Sequence, residues 1–401
     1  MRLALPQPPL GDGGPARATP GASCGDRRVI VARPGSPRPR GLAPPSPRSA
    51  TVTSLRITFL APHVRIAGGV RAILTYADRL AGLGHDVTLV VPAAGPLAAA
   101  WRNARGVVPD WMPGFRARLR WVTRWSAGAL PDGDVLVATA WQSAPVVAAA
   151  PGPCGAKFYL VQHYESLYHG DPAVVDATYR LPLTKIVIST WLREVMRERF
   201  DSEAELVVTP VDRALFHRVP VEVTTSRPRV LMLHHEYAWK GVADGLAAVA
   251  RVKARVPALC LVGFGVRPPR QPVLYDEFHA NPPQGALAAL YSGCDIYLCP
   301  SWDEGLGMPP MEAMACGAAL VTYDNGGCRD YARDGDTALV APRRDVEALA
   351  AALARLATDE ALRARLAAAG AAHVTTAFDW ERAASKLEGL FRGTRAGADR
   401  A

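Results

Sequence analysis

From residue 55 onward the chain alternates short apolar runs with stretches of helical periodicity. The run 55–61 (LRITFLA) predicts a buried strand. On 70–83, Ile73, Leu74, Ala77, Leu80 and Ala81 recur at the spacing of one helix face. Gly84 and His85 break that helix, and 86–91 predicts a second strand; further strands are predicted at 134–139, 158–162 and 185–189. Strands alternating with helices in this way predict a parallel, Rossmann-like sheet. A second series follows, with strands at 229–234, 259–263, 295–299 and 319–322. Between its last two strands, 309–316 predicts a helix that opens on Pro309 and stops at Gly317. Proline needs no N–H in a first turn, and glycine accepts the left-handed conformation that ends a helix. After Asp345, Val346, Leu349, Leu353 and Leu356 line a helical face, and 380–391 predicts a last helix.

Residues 1–52 hold eleven prolines and no hydrophobic periodicity. Such a segment buries too little apolar surface to offset its ordering entropy and reads as a disordered tail. Prolines break its start, which argues against a secretory signal. Its arginine-rich, acid-poor composition is like that of a transit peptide without the amphipathic helix, and translation starting near Val52 is the alternative. The remainder divides into a first domain over 53–218, a linker over 219–226, a second domain over 227–379 and a terminal helix over 380–401.

Composition changes the picture in two places. The formal net charge is +9, but residues 1–50 carry eight arginines and two aspartates, which leaves +3 for the other 351. The folded body is not strongly basic, and a nucleic-acid partner is not expected. The seven cysteines are scattered, odd in number and without C-x2-C or metal-like spacing, which fits a reduced, cytoplasmic protein. No apolar run is long enough to cross a bilayer. Residues 101–125 interleave Trp101, Trp111, Trp121 and Trp125 with six arginines and one acid. That mixture suits a membrane interface or an anionic acceptor, and equally an ordinary helix and strand with solvated arginines.

The candidate chemistry lies in 301–327, SWDEGLGMPPMEAMACGAALVTYDNGG. Seven residues separate Glu304 from Glu312, and the turn Gly305-Leu306-Gly307 follows the first glutamate. A glycine turn leading into a helix N-terminus presents free N–H groups and partial positive charge to a phosphate. Carboxylates repel phosphate but accept hydrogen bonds from hydroxyls, so the two glutamates suit sugar hydroxyls. A ligand with a central diphosphate and hydroxyls at both ends is a nucleotide-sugar.

This stretch resembles the E-x7-E region of the retaining glycosyltransferases of family 4. The resemblance implies an α/β architecture of the GT-B type, two Rossmann-like parallel-sheet domains facing a central cleft. It implies that Glu304 contacts the donor sugar, Glu312 the ribose, and the backbone of Gly305, Leu306 and Gly307 the sugar and phosphate. Gly68 and Gly69 match the glycine pair near the donor phosphates, and His163 matches a histidine on the donor sugar. Lys240-Gly241 matches the end of G-R-x4-K-G, whose arginine and lysine bind the diphosphate, but His235 stands at the arginine position. A histidine there carries less charge and cannot form a bidentate fork. Gly263 and Gly265 match the V-G-x-G turn beside the nucleotide. Also, 290–295 matches L-Y-x-x-x-D, 209–218 resembles N-G-V-D-x-x-x-F, and Gly326-Gly327 opens G-G-x-x-E with Asp330 for glutamate. The phrase VQHYE is similar to rhamnosyltransferase-type members, and the last helix resembles the one that crosses back to the first domain.

The implied activity is sugar transfer from a nucleoside diphosphate sugar to a hydroxyl of a glycan or lipid-linked acceptor, with retention. Catalysis falls to Glu304, Lys240 and His163. Neither a metal nor a cofactor is expected, because Lys240 and the N–H groups near Gly305–Gly307 would stabilise the charge on the leaving diphosphate. The expected location is cytoplasmic, with peripheral attachment at the inner face of the plasma membrane through 101–125 as an option. The alternatives are an inverting transferase with Glu165 or His163 as base, a sugar-nucleotide epimerase, or a non-catalytic carbohydrate- or membrane-binding module.

Overall fold

The computed structural model describes residues 53–222, 228–269 and 275–398. The tail expected over 1–52 and the linker residues 223–226 lie outside that range. Seven strands come first: β1 (Arg56–Leu60), β2 (Asp86–Pro92), β3 (Arg118–Val122), β4 (Val135–Ala138), β5 (Ala156–Val161), β6 (Thr184–Val187) and β7 (Ala204–Leu206). They form one parallel sheet in the order β3-β2-β1-β4-β5-β6-β7. Six more follow: β8 (Arg229–Leu233), β9 (Cys260–Gly265), β10 (Glu277–Ala280), β11 (Ile296–Cys299), β12 (Ala319–Tyr323) and β13 (Ala338–Ala341). Their order is β10-β9-β8-β11-β12-β13, again all parallel. In both sheets the order reverses beside the first strand, the switch point at which such folds bind ligands beyond the carboxyl ends of their strands.

The helices are α1 (Gly68–Gly82), α2 (Pro96–Ala104), α3 (Ala144–Ala148), α4 (Pro172–Tyr179), α5 (Thr190–Phe200), α6 (Val242–Lys253), α7 (Gln284–Ser292), α8 (Met308–Ala315), α9 (Val346–Thr358), α10 (Glu360–Ala377) and α11 (Trp380–Ala398). Central strands read as apolar runs because both faces are covered: every residue of β4, β9, β11 and β12 is buried. One buried apolar cluster continues from the first sheet into the second domain, through Phe216, Tyr291, Leu306 and Met311. Helix α11 returns to the first domain. Its Phe391 ring lies 4.9 Å from Phe158 and 6.4 Å from Phe59, and Trp380 lies 4.9 Å from Tyr76.

The structure departs from the sequence reading at two places that bear on function. The strand predicted to end at 263 runs on to Gly265, because Gly263 is an inner ladder position paired with Met232 and Phe278. Residues 101–125 become the end of α2, a loop and the edge strand β3. Trp121 is buried there, and the indole N–H groups of Trp111 and Trp125 donate to the carbonyls of Val64 and Val90 at 2.9 and 3.1 Å. Three of the four indoles therefore pack the first domain. Trp101 is 55% exposed, one helical turn from the exposed Leu97.

Candidate functional site

Glu304 follows β11 at its carboxyl end. Its N–H donates to the Asn325 carbonyl at 2.9 Å, and its own carbonyl accepts from Gly327 N–H at 3.1 Å. The loops after β11 and β12 are thus locked together. The Glu304 carboxylate lies 2.6 Å from Lys240 Nζ, with side chains 12% and 16% exposed. Lys240 is placed by a tight turn at Gly241, whose φ of 65° and contact with the Pro300 carbonyl exclude a side chain. Its ammonium also sits 4.2 Å from the Trp239 ring centroid. Gly307, with φ 92°, starts α8 without a side-chain cap; Pro309 and Pro310 carry no N–H, so the backbone donors at this end are those of Gly307 and Met308.

The first domain meets this turn directly. A Cβ at Gly305 would overlap the Gln162 carbonyl oxygen, so only glycine fits there. Helix α1 begins at Gly68 and Gly69 without a side-chain cap, and Gly68 faces Met308 at the start of α8. Two helix N-termini without side-chain caps therefore meet at one place, a setting that suits a phosphate group. His163 follows β5 and lies 5.3 Å from the Trp239 ring. Both its ring nitrogens are buried without a partner, as are Gln162 Oε1 and Tyr331 OH. Gln162 borders Gly69, the His163 backbone borders Gly305, and Tyr331 OH borders Gly307. Leaving a buried polar group unpaired costs about 1–3 kcal/mol, so a cluster of them around a glycine turn marks a place for a polar ligand. Burial lowers the His163 pKa below its ordinary value, which keeps the ring neutral at pH 7.

Other contacts hold the domains together. Tyr168 stacks on Trp239 at 4.8 Å and donates its hydroxyl to Asp303, which pairs with Arg343 at 2.5 Å. Asp330 caps α5 by accepting from Thr190 N–H at 2.8 Å and from Thr190 Oγ1 at 2.5 Å.

Several residues singled out in the sequence sit differently. His235 Nδ1 accepts from Tyr237 N–H at 3.1 Å. Burial, then the neighbouring Lys240, lowers its pKa, so it offers one N–H and no charge at neutral pH. Gly263 makes room for Tyr275 and Phe278 within β9, and Gly265 packs on the His234 carbonyl. The Leu306 side chain is in the apolar core. Glu312 is covered: Tyr291 OH donates to its Oε2 at 3.1 Å, and the Arg71 guanidinium, from the first domain, pairs with its Oε1. The Glu165 carboxylate accepts from Trp141 N–H at 3.0 Å and Tyr159 OH at 3.4 Å, inside the first domain, and burial pushes its pKa up to about 7. Among the described residues no group of three His, Cys, Asp or Glu side chains is arranged to hold a metal. Sequence reasoning missed Arg71, Gln162, Tyr168 and Asp303. Each lies within a few residues of a motif, and that proximity was the available signal.

Residues 216–373 match the family described as Glycosyl transferases group 1. The phosphatidyl-myo-inositol mannosyltransferase of Mycolicibacterium smegmatis is 28% identical over 356 residues, 81% of this chain and 90% of that protein. The O-antigen biosynthesis protein RfbC of Myxococcus xanthus is 32% identical over 263 residues, 63% of this chain but 20% of its own length. Among solved structures, sucrose-phosphate synthase from Thermosynechococcus elongatus superimposes with a TM-score of 0.69 at 19% identity, over 85% of this chain and 99% of that one. HepE of Anabaena, solved with UDP and glucose, gives 0.66 at 15% identity, over 84% and 100%. The second domain is thus a Glycosyl transferases group 1 domain on a GT-B frame, and the chain is a glycosyltransferase.

Proposed function

We propose that the protein moves a sugar from a nucleoside diphosphate sugar to a hydroxyl of a glycan or lipid-linked acceptor, with retention of configuration and without a divalent metal. The observation that carries this reading is the largely buried Lys240–Glu304 pair facing the unpartnered ring nitrogens of His163 across the glycine turn. The diphosphate takes Lys240, the free N–H groups at the start of α1, and those of Gly307 and Met308 before the prolines of α8, which stabilise the charge that grows on the leaving group. Glu304 and His163 hold sugar hydroxyls, and Glu312 holds the ribose. The contact of Gly305 with Gln162 shuts the cleft and excludes water that would hydrolyse the donor.

The name of the Mycolicibacterium relative, and the UDP and glucose bound to HepE, support this donor and acceptor chemistry. The hydrogen bonds that turn Glu165 into the first domain favour retention over an inverting step with Glu165 as base. Trp101 and Leu97, beside Arg102 and Arg105, are the surface that would rest on a membrane bearing the acceptor. Among the described residues no helix is long and apolar enough to cross a membrane.

The test is transfer and hydrolysis across a panel of UDP-, GDP- and dTDP-sugars, dTDP-rhamnose included, with and without EDTA, and assignment of the product anomer. One donor should turn over equally in EDTA and give a retained anomer. An inverted product would remove the retention claim, and absence of any nucleotide binding by calorimetry would leave a non-catalytic module.

A further inference from the structure

We propose that Arg71 is the second cation of the donor diphosphate site, supplied from the opposite domain in place of an arginine at position 235. This rests on the donor-binding reading above. With His235 neutral and its Nδ1 occupied, Lys240 is left as the one cation of the G-R-x4-K-G segment. A diphosphate leaving group asks for more positive charge than one ammonium.

Arg71 meets the requirement. It lies two residues beyond Gly69 in the first turn of α1, at the end that faces the glycine turn of the second domain. Its side chain is 13% exposed and reaches across the cleft to Glu312, which is 3% exposed. The Phe216 ring, 5.1 Å away, supports the guanidinium. Glu312 therefore has no open face for a ribose while Arg71 stays where it is.

The two E-x7-E glutamates thus share one arrangement. Glu304 rests on Lys240, and Glu312 rests on Arg71. A nucleotide-sugar carries the substitute for every partner. Its diphosphate replaces the carboxylates around the two cations, and its sugar and ribose hydroxyls replace the cations around the two carboxylates. The exchange trades charge-assisted hydrogen bonds for others of the same kind. A guanidinium suits the new partner because its planar fork matches phosphate oxygens.

Calorimetry on the intact protein with UDP, GDP, dTDP and inorganic pyrophosphate tests this. Arg71→Gln should weaken nucleoside diphosphate binding about ten- to a hundredfold, the effect of losing a hydrogen bond to a charged group. The matching monophosphate should lose much less. R71Q combined with H235R returns a cation to the site and should recover most of the loss, which a merely structural Arg71 would not allow. Glu312→Gln provides a second measurement should R71Q fail to fold: freed of its resting partner, Arg71 should bind pyrophosphate more tightly than in the parent. Unchanged diphosphate binding by a folded R71Q, no recovery on adding H235R, or unchanged pyrophosphate binding by E312Q each overturns the assignment. If the parent binds none of the four probes, the donor reading itself falls, and this one with it.

Discussion

Replacing Lys240 by methionine keeps the side-chain stem on Trp239 and removes only the charge. Glu304 is then left with 12% exposure and no counter-ion. Removing one partner of a fully buried pair costs about 3–5 kcal/mol. The residual exposure of both side chains lets water relieve part of that, which brings the expected loss to about 2–3 kcal/mol. Glu304→Gln costs less, about 1–2 kcal/mol, because the orphaned ammonium keeps its place over the Trp239 ring. The double variant has no unpaired charge, so its loss should be about 1–2 kcal/mol rather than the sum, a coupling of about 2 kcal/mol. Urea unfolding of the four proteins at pH 7, followed by tryptophan fluorescence, measures it. Additivity within about 0.5 kcal/mol would refute the claim that these two groups neutralise one another.

Glu304→Gln should also lower turnover by about a hundredfold or more while nucleoside diphosphate still binds; full activity in the transfer assay would remove Glu304 from the mechanism. Gly305→Ala places a methyl on the Gln162 carbonyl and should hold the domains apart, seen as a larger radius of gyration in X-ray scattering and a loss of turnover. Glu165 has a folded pKa of about 7 against 4.5 for the free carboxyl, so its contribution is complete below 4.5 and fades as pH rises through 7. From pH 5 to pH 8 the wild type should lose stability relative to Glu165→Gln, by on the order of 3 kcal/mol at most; parallel urea stability curves would contradict it. Phe391→Ala, which empties the space against Phe59 and Phe158, should destabilise by about 3–5 kcal/mol in the same urea assay.

The sheets were legible because parallel strands buried on both faces are written as short apolar runs, as in 134–139 and 295–299. Edge strands are half-solvated and lack that signature: β3 reads RLRWV and β10 reads EFHA, and neither stands out from a loop. Of the site, the parts that depend on local backbone were legible, such as Gly305–Gly307 and Lys240-Gly241, since turn chemistry is confined to a few consecutive residues. What depends on the meeting of two domains was not. Nothing in the spacing of Arg71 and Glu312, or of Tyr168 and Asp303, says that they touch. Gly263 shows the converse limit. A V-G-x-G string reads alike whether its first glycine faces a ligand or, as here, makes room for Tyr275 inside a sheet.

The resting ion pairs bear on which ligands the cleft can retain. A phosphate compound that draws Lys240 and Arg71 away strips two nearly buried carboxylates of their partners. Each carboxylate so exposed to an apolar surrounding costs several kcal/mol unless hydroxyls arrive with the phosphate. Pyrophosphate brings none, and a nucleoside diphosphate brings them to Glu312 alone. A nucleotide-sugar brings them to both. Discrimination against incomplete ligands then comes from the groups they would leave unpaired rather than from contacts they fail to make. It follows that Glu304→Gln, which lifts that penalty at the sugar end, should narrow the affinity gap between a nucleoside diphosphate and its sugar conjugate. A gap that stays as wide as in the parent would show that Lys240 and Glu304 do not exchange partners when the donor binds.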